Sequence, residues 1–244
     1  MMRAVCTLFL GAAAALSQPA TPPAFEVASV RSSQSNGTAI EVGPASLSIR
    51  DLSLAGCIRW AYGVQDFQIT APGWINEASF DIFAKSPAPV KEAQLRQMLQ
   101  NLLAERFKMT VHRETREMPT MILTIAKTGH KLQPVESEGS PSFQTGHMSL
   151  TGKGATIAQL TEFISRELHY PMVDQTGLEG RFNYTLDIAA YVTEEMRKSP
   201  GPPPEAPVIV AEALQAQLGL KVTEKKAPVE VIVVDHVEKV PVEN

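Results

Sequence analysis

Apolar positions along this chain recur at two spacings, and the spacing changes in a regular order. Phe25-Glu26-Val27-Ala28-Ser29-Val30 alternates and reads as a strand added at a sheet edge. Ser46-Leu47-Ser48-Ile49 alternates in the same way. Ser53 then stands where a helix needs its N-cap, because a hydroxyl there accepts from a free backbone N–H. Leu54, Cys57, Ile58 and Trp60 follow on one helical face. A short strand, Phe67-Gln68-Ile69-Thr70, leads to the turn Pro72-Gly73, and Phe80-Asp81-Ile82-Phe83 is the next strand. From about Val90 to Glu105, Leu95, Met98, Leu99, Leu102 and Leu103 keep helical spacing, which predicts a long amphipathic helix. The segment ends in two apolar stretches, Phe107–Val111 and Met121–Ile125, expected to pair as a hairpin.

The second half of the chain follows the same order. Met148-Ser149-Leu150 is a strand, and Thr156 caps a helix carrying Ile157, Leu160, Phe163, Ile164 and Leu168. Pro171–Asp174 leads to the turn Thr176-Gly177, and Phe182–Leu186 is the next strand. A helix bears Val208, Ala211, Leu214 and Leu218, and a closing hairpin joins Lys221–Thr223 to Val229–Val234. Phe107-Lys108-Met109-Thr110 matches Leu220-Lys221-Val222-Thr223, Trp60 matches Phe163, and Pro119 and Pro228 each precede an apolar strand. These ordered matches point to an internal duplication. The expected fold is α+β, with two similar β-α-β-β-α-β-β halves, each holding small mixed sheets and two helices. The halves span 19–128 and 147–244, and a polar linker spans 129–146. A Pro-rich insertion at 190–207, containing Ser199-Pro200-Gly201-Pro202-Pro203-Pro204, blocks helix and ladder bonding and reads as a loop. The apolar run Val229–Val234 needs cover, which predicts close packing between the halves.

The N-terminus changes the picture. Arg3 precedes an apolar run, Ala4 to Leu16, too short to span a bilayer comfortably, and small residues and a Pro-rich stretch follow. Residues 1–18 therefore read as a signal peptide, cleaved near 15–18, and the protein is expected to be exported to the periplasm or beyond. Retention of the segment as an anchor is the other reading. No later run is long enough for a membrane span. Cleavage removes one Arg and no acid, taking the formal charge of −4 down by one, so there is no basic excess for nucleic acid. Hydrophobic residues at 44% and charged residues at 20% are ordinary for a globular chain. Cys57 is the one cysteine left after cleavage, which excludes an internal disulfide and suits a buried structural thiol.

Catalytic motifs are absent. There is no Gly-x-Ser-x-Gly elbow and no Walker pattern, and the five histidines form no i,i+4 pair or Cys/His cluster of metal spacing. No catalytic, cofactor-binding or metal-binding residue is expected, and no cofactor. His112 lies in the charged stretch Lys108 to Glu117, where Arg and Glu alternate, as on an exposed ion-paired hairpin. Trp74, after Pro72-Gly73, has the residue type of an interface anchor, with a core-capping role as the alternative. Trp74, His112, Arg113 and Arg116 are the candidate partner-binding residues.

Four blocks carry a family resemblance. They are Pro23–Val30, Leu102–Lys108 with His112–Pro119, Val173–Gly180, and Ala213–Lys221 running to Ala227–Lys239. In these the chain resembles a large paralogous family of uncharacterised secreted proteins from soil bacteria, the Solibacter-type domain of unknown function. The resemblance implies membership and supplies no activity. Some relatives join this module to a membrane zinc peptidase of the antibiotic-sensor type, but this chain has no His-Glu-x-x-His and no spanning helix. The order of elements is also similar to the short N-terminal domain of secretins and TonB-dependent receptors, which binds protein partners. The expected function is a secreted, non-catalytic binding or scaffold module for a protein or peptide, with a sheet edge as one surface it can offer. The alternatives are an envelope sensor for a small molecule or cell-wall fragment, and a hydrolase with a dispersed site.

Overall fold

A computed structural model describes residues 22–34, 37–136, 139–192 and 206–242. The signal-peptide reading, and 193–205 of the Pro-rich insertion, lie outside the described residues. The fold is α+β, with three four-stranded sheets and four α-helices among the described residues.

The first sheet joins β1 (Val27–Ser32), β2 (Ala39–Gly43), β3 (Ser46–Ser53) and β5 (Ser79–Lys85) in the order β1-β5-β3-β2, all antiparallel. The stretch at 25–30 does supply an edge strand, β1. Helix α1 (Leu54–Tyr62) starts where the sequence places it, because the Ser53 hydroxyl accepts from Gly56 N. It stops at Gly63, whose φ of +65° ends the turn without a Cβ penalty. Helix α2 (Glu92–Arg106) lays Leu99, Leu102 and Leu103 into the first core, with Leu47, Ile49, Ile58, Phe80 and Ile82.

The third sheet joins β7 (Gln133–Pro134), β8 (Ser142–Gly146), β9 (Ser149–Ala155) and β11 (Phe182–Asp187) in the order β7-β11-β9-β8. This order repeats that of the first sheet. The 129–146 segment thus contributes two short edge strands, β7 and β8, in addition to connecting the halves. Helix α3 (Ile157–Leu168) is held by a capping box in which Thr156 and Gln159 satisfy each other's backbone N–H. Helix α4 (Ala206–Ala213) runs into a wider π turn, Leu214–Leu218. The second core gathers Leu150, Leu160, Phe182, Leu186, Leu214 and Leu220.

The middle sheet corrects the expected hairpins. Thr110–Ile125 is one continuous strand, β6, and Leu220–His236 is another, β12. They pair with each other along their whole length, from Leu220 opposite Ile125 to His236 opposite Thr110. Neither stretch holds the Asn-Gly or Gly-rich dipeptide that a tight hairpin needs. The closing element of each half is therefore a single strand, and the mixed sheet is the one both halves share. β4 (Ile69–Thr70) runs parallel to β12, and β10 (Met172–Asp174) runs parallel to β6, giving the order β10-β6-β12-β4. Both flanking sheets are wholly antiparallel.

The long strands exchange their ends. β6 leaves the first core at Val111 and enters the second with Met121 and Leu123. β12 leaves the second core with Leu220 and Val222 and enters the first with Val234. The polar middles, where each strand has an uncovered edge, carry Pro119 and Pro228. Proline offers no N–H to an incoming strand, so both guard this ribbon against edge-to-edge pairing.

Candidate functional site

The four candidate partner-binding residues fall in two places. Trp74 lies in a 3-10 turn, Gly73–Asn76, is half-buried and packs against the first core, which is the core-capping role. His112, Arg113 and Arg116 sit on the exposed stretch of β6, and none of their hydrogen bonds reaches Trp74. His112 Nδ1 lies 2.9 Å from both carboxylate oxygens of Asp235, and its Nε2 lies 3.7 Å from Glu114 Oε2. The hydrogen bond to Asp235 raises the His112 pKa above the ordinary imidazole value. Arg113 pairs with Glu230 across the ribbon, while Arg116 pairs with Glu114 and donates to Thr70 Oγ1 at 2.6 Å. Each cation is thus satisfied within the ribbon. The Asp235–His112 pair has the look of an orienting acid with a base, but the base's free nitrogen faces a carboxylate, not a hydroxyl. Cys57 is fully buried in the first core, and burial pushes its thiol up to about 12. Among the described residues, no group of three or more His, Cys, Asp or Glu side chains could hold a metal ion.

A different place emerges when the two halves are compared. In the first half, helices α1 and α2 are tied together. Arg96 of α2 lies 4.8 Å over the Trp60 ring and donates to Trp60 O at 2.6 Å. Gln100 of α2 donates to Ala61 O at 2.8 Å. Trp60 has its counterpart in Phe163 of α3, but the arginine over Phe163 is Arg166, from α3 itself, at 5.2 Å. Among the described residues no hydrogen bond joins α3 to α4. The helices stand apart, and a cleft of about 310 Å³ opens between them and the third sheet.

The cleft is apolar. Phe163, Ile164 and Leu168 of α3 form one wall, Ile209 and Val210 of α4 the other, and Leu150 and Leu186 the floor, with Met148, Ile188 and Val192 at the margins. Its polar groups are few: Thr145, Ser149 and the Glu167 carboxylate, which is paired with Arg166 at 3.5 Å. β8 forms one lip through Thr145 and Gly146, and Phe143 of the same strand stacks on Phe163 with 6.3 Å between ring centroids. Such a cleft can take an apolar side chain or a small apolar body, and its polar groups are too few to desolvate a charge favourably. The sequence does not announce it. Its apolar lining residues look like core, and the signal is a tie that exists in one half and is absent in the other.

The class defined here is an α+β protein of two similarly ordered halves with an apolar cleft in the second. Residues 55–237 match the model of a family described as a protein of unknown function (DUF3738), and the chain belongs to that family. No curated protein and no solved structure matches it. No helix among the described residues is long and apolar enough to cross a membrane.

Proposed function

We propose that this protein is an exported binding module that holds an apolar part of a protein or peptide in the cleft between α3 and α4. The observation that carries the reading is the contrast between halves. The same helix pair is cross-tied by Arg96 and Gln100 in the first half and left open over apolar residues in the second. Phe163, Leu168 and Ile188 are only partly covered, and a bound partner would complete their burial. The repeated strand order supports an internal duplication, in which one copy kept the closed scaffold and the other opened. Export rests on the N-terminal pattern of Arg3 and the apolar run that follows. The mild negative charge supports partners other than nucleic acid. A small apolar molecule is the second reading, favoured by the cleft's volume.

The test places a photo-activated benzoylphenylalanine at Ile188 in the cleft or at Val240, an exposed valine outside it. Each protein is irradiated in native envelope and secretome extract. A defined protein or peptide adduct at Ile188 and none at Val240 is the expected result. A small-molecule adduct would transfer the site to the second reading, and equal adducts at both positions would overturn the cleft.

A further inference from the structure

We propose that the occupant of the cleft is an extended, uncharged peptide segment that adds to the free edge of β8 and sends one apolar side chain between α3 and α4. This rests on the cleft reading above and specifies its partner.

The backbone at β8 is set up for it. β8 and β9 are joined by a two-residue loop, His147-Met148, so the closing pair Gly146–Ser149 is the hydrogen-bonded kind. Pairs alternate along an antiparallel ladder. Phe143 and Thr145, opposite Gly152 and Leu150, therefore turn their own N–H and C=O away from β9. β8 is the edge strand of its sheet, so these groups have no ladder partner on that side. The same two residues point their side chains toward the core face: Thr145 lines the cleft and Phe143 stacks on Phe163. An added strand would bond to Phe143 and Thr145 through its backbone. Its residue opposite Thr145 would stand on the core face, at the lip of the cleft.

The other edges are defended, and β8 is not. The ribbon of β6 and β12 carries Pro119, Pro228 and alternating Arg, Lys and Glu at its bare edges. β1 carries Arg31, and β2 carries Glu41, paired with Arg50 at 3.4 Å. β4 and β7 are two residues long and β10 three, too short to template a partner. β8, Ser-Phe-Gln-Thr-Gly, has five residues with no charge and no proline. An edge without such protection invites strand addition. Main-chain bonding supplies affinity in this mode, and a pocket for one side chain supplies selectivity. The occupant is uncharged because β8 offers no charged side chain to pair with and the cleft would strip a charge of water.

The test selects random nonapeptides displayed on phage against the full chain and titrates the tightest as a synthetic peptide. Selected sequences are expected to alternate, with an apolar residue at a fixed position. Thr145→Pro removes the outward N–H and leaves the β8–β9 ladder intact, and is expected to weaken binding by about tenfold or more. Val42→Pro, the matching change on the β2 edge of the first sheet, is expected to bind like the parent. The peptide should also slow amide exchange at Phe143 and Thr145, a reading on the parent chain that decides the matter if Thr145→Pro does not fold. Equal binding by a folded Thr145→Pro, protection elsewhere, or no selectable peptide overturns the proposal. Loss of binding in Ile188→Trp with none in Thr145→Pro would sink strand addition and leave the cleft reading standing. Indifference of both variants would sink both.

Discussion

Separating the halves at the linker should unfold both, although each looks like a unit in the sequence. A fragment of 22–128 keeps β6 but loses β12, whose buried residues beyond Leu220 are Val231, Ile232 and Val234. Ile232 sits opposite Ile69 of β4, and Val234 belongs to the first core. Full burial of each such side chain contributes about 1.5–3 kcal/mol, so the loss is about 5–9 kcal/mol. The whole stability of a domain is about 5–15 kcal/mol. The fragment also exposes Met121, Ile122 and Leu123, which the intact protein buries. The complementary fragment, 129–244, loses those same three residues from β6, of which Met121 and Leu123 belong to its core. Far-UV circular dichroism and urea titration of each fragment should show no cooperative transition. An equimolar mixture should recover one, because every exchanged contact is restored. A cooperative transition in 22–128 alone, at a midpoint near that of the full chain, would show that the first half does not need β12 to fold.

Four further outcomes follow from single side chains. The Tyr184 hydroxyl is buried without a hydrogen-bond partner, and burial also raises its pKa, so Tyr184→Phe should stabilise by about 1–2 kcal/mol, read as a higher urea midpoint. A Cβ at Gly152 would stand 2.4 Å from Tyr184 Cζ, so Gly152→Ala should destabilise by about 1–3 kcal/mol, and much less when Tyr184 is replaced by Ala. Removing a ribbon guard, as in Pro228→Val, should leave the fold intact and increase self-association in sedimentation velocity runs. The folded pKa of His112 is raised, with the Asp235 hydrogen bond as the largest cause, so its stabilising contribution is full below about pH 6.5 and is lost as pH rises through the folded value. In an NMR titration, Asp235→Asn should bring the His112 midpoint down toward the ordinary imidazole range. An unchanged midpoint would remove Asp235 as the cause.

The starts of α1 and α3 and the inner strands of the two flanking sheets were legible because their signals are local. Ser53 and Thr156 cap helices by hydrogen bonds within three residues, and β5 and β11 alternate over a single buried face. The long strands were not legible, because their pattern is the sum of two environments. The start of β6 meets one core, its middle meets solvent and its end meets the other core, so apolar–polar–apolar resembles a hairpin with a charged turn. Only the pairing of β6 with β12, about 110 residues apart, resolves it. The ribbon ion pairs were foreseen in kind, as an exposed charged stretch, although their partners Glu230 and Asp235 lie on the distant strand. The cleft escaped notice for a different reason. Phe163, Ile164, Ile209 and Val210 are core-type residues at helical spacing, and whether two such helices touch or stand apart depends on tertiary packing that no local pattern carries.

The most direct test of the central claim is to block the cleft and measure binding. Ile188→Trp puts an indole into the space between α3 and α4 without touching the first half or the ribbon. With the selected peptide titrated calorimetrically into parent and variant, affinity is expected to fall about tenfold or more, at unchanged urea midpoint. Equal affinity in a folded variant would place the binding site elsewhere.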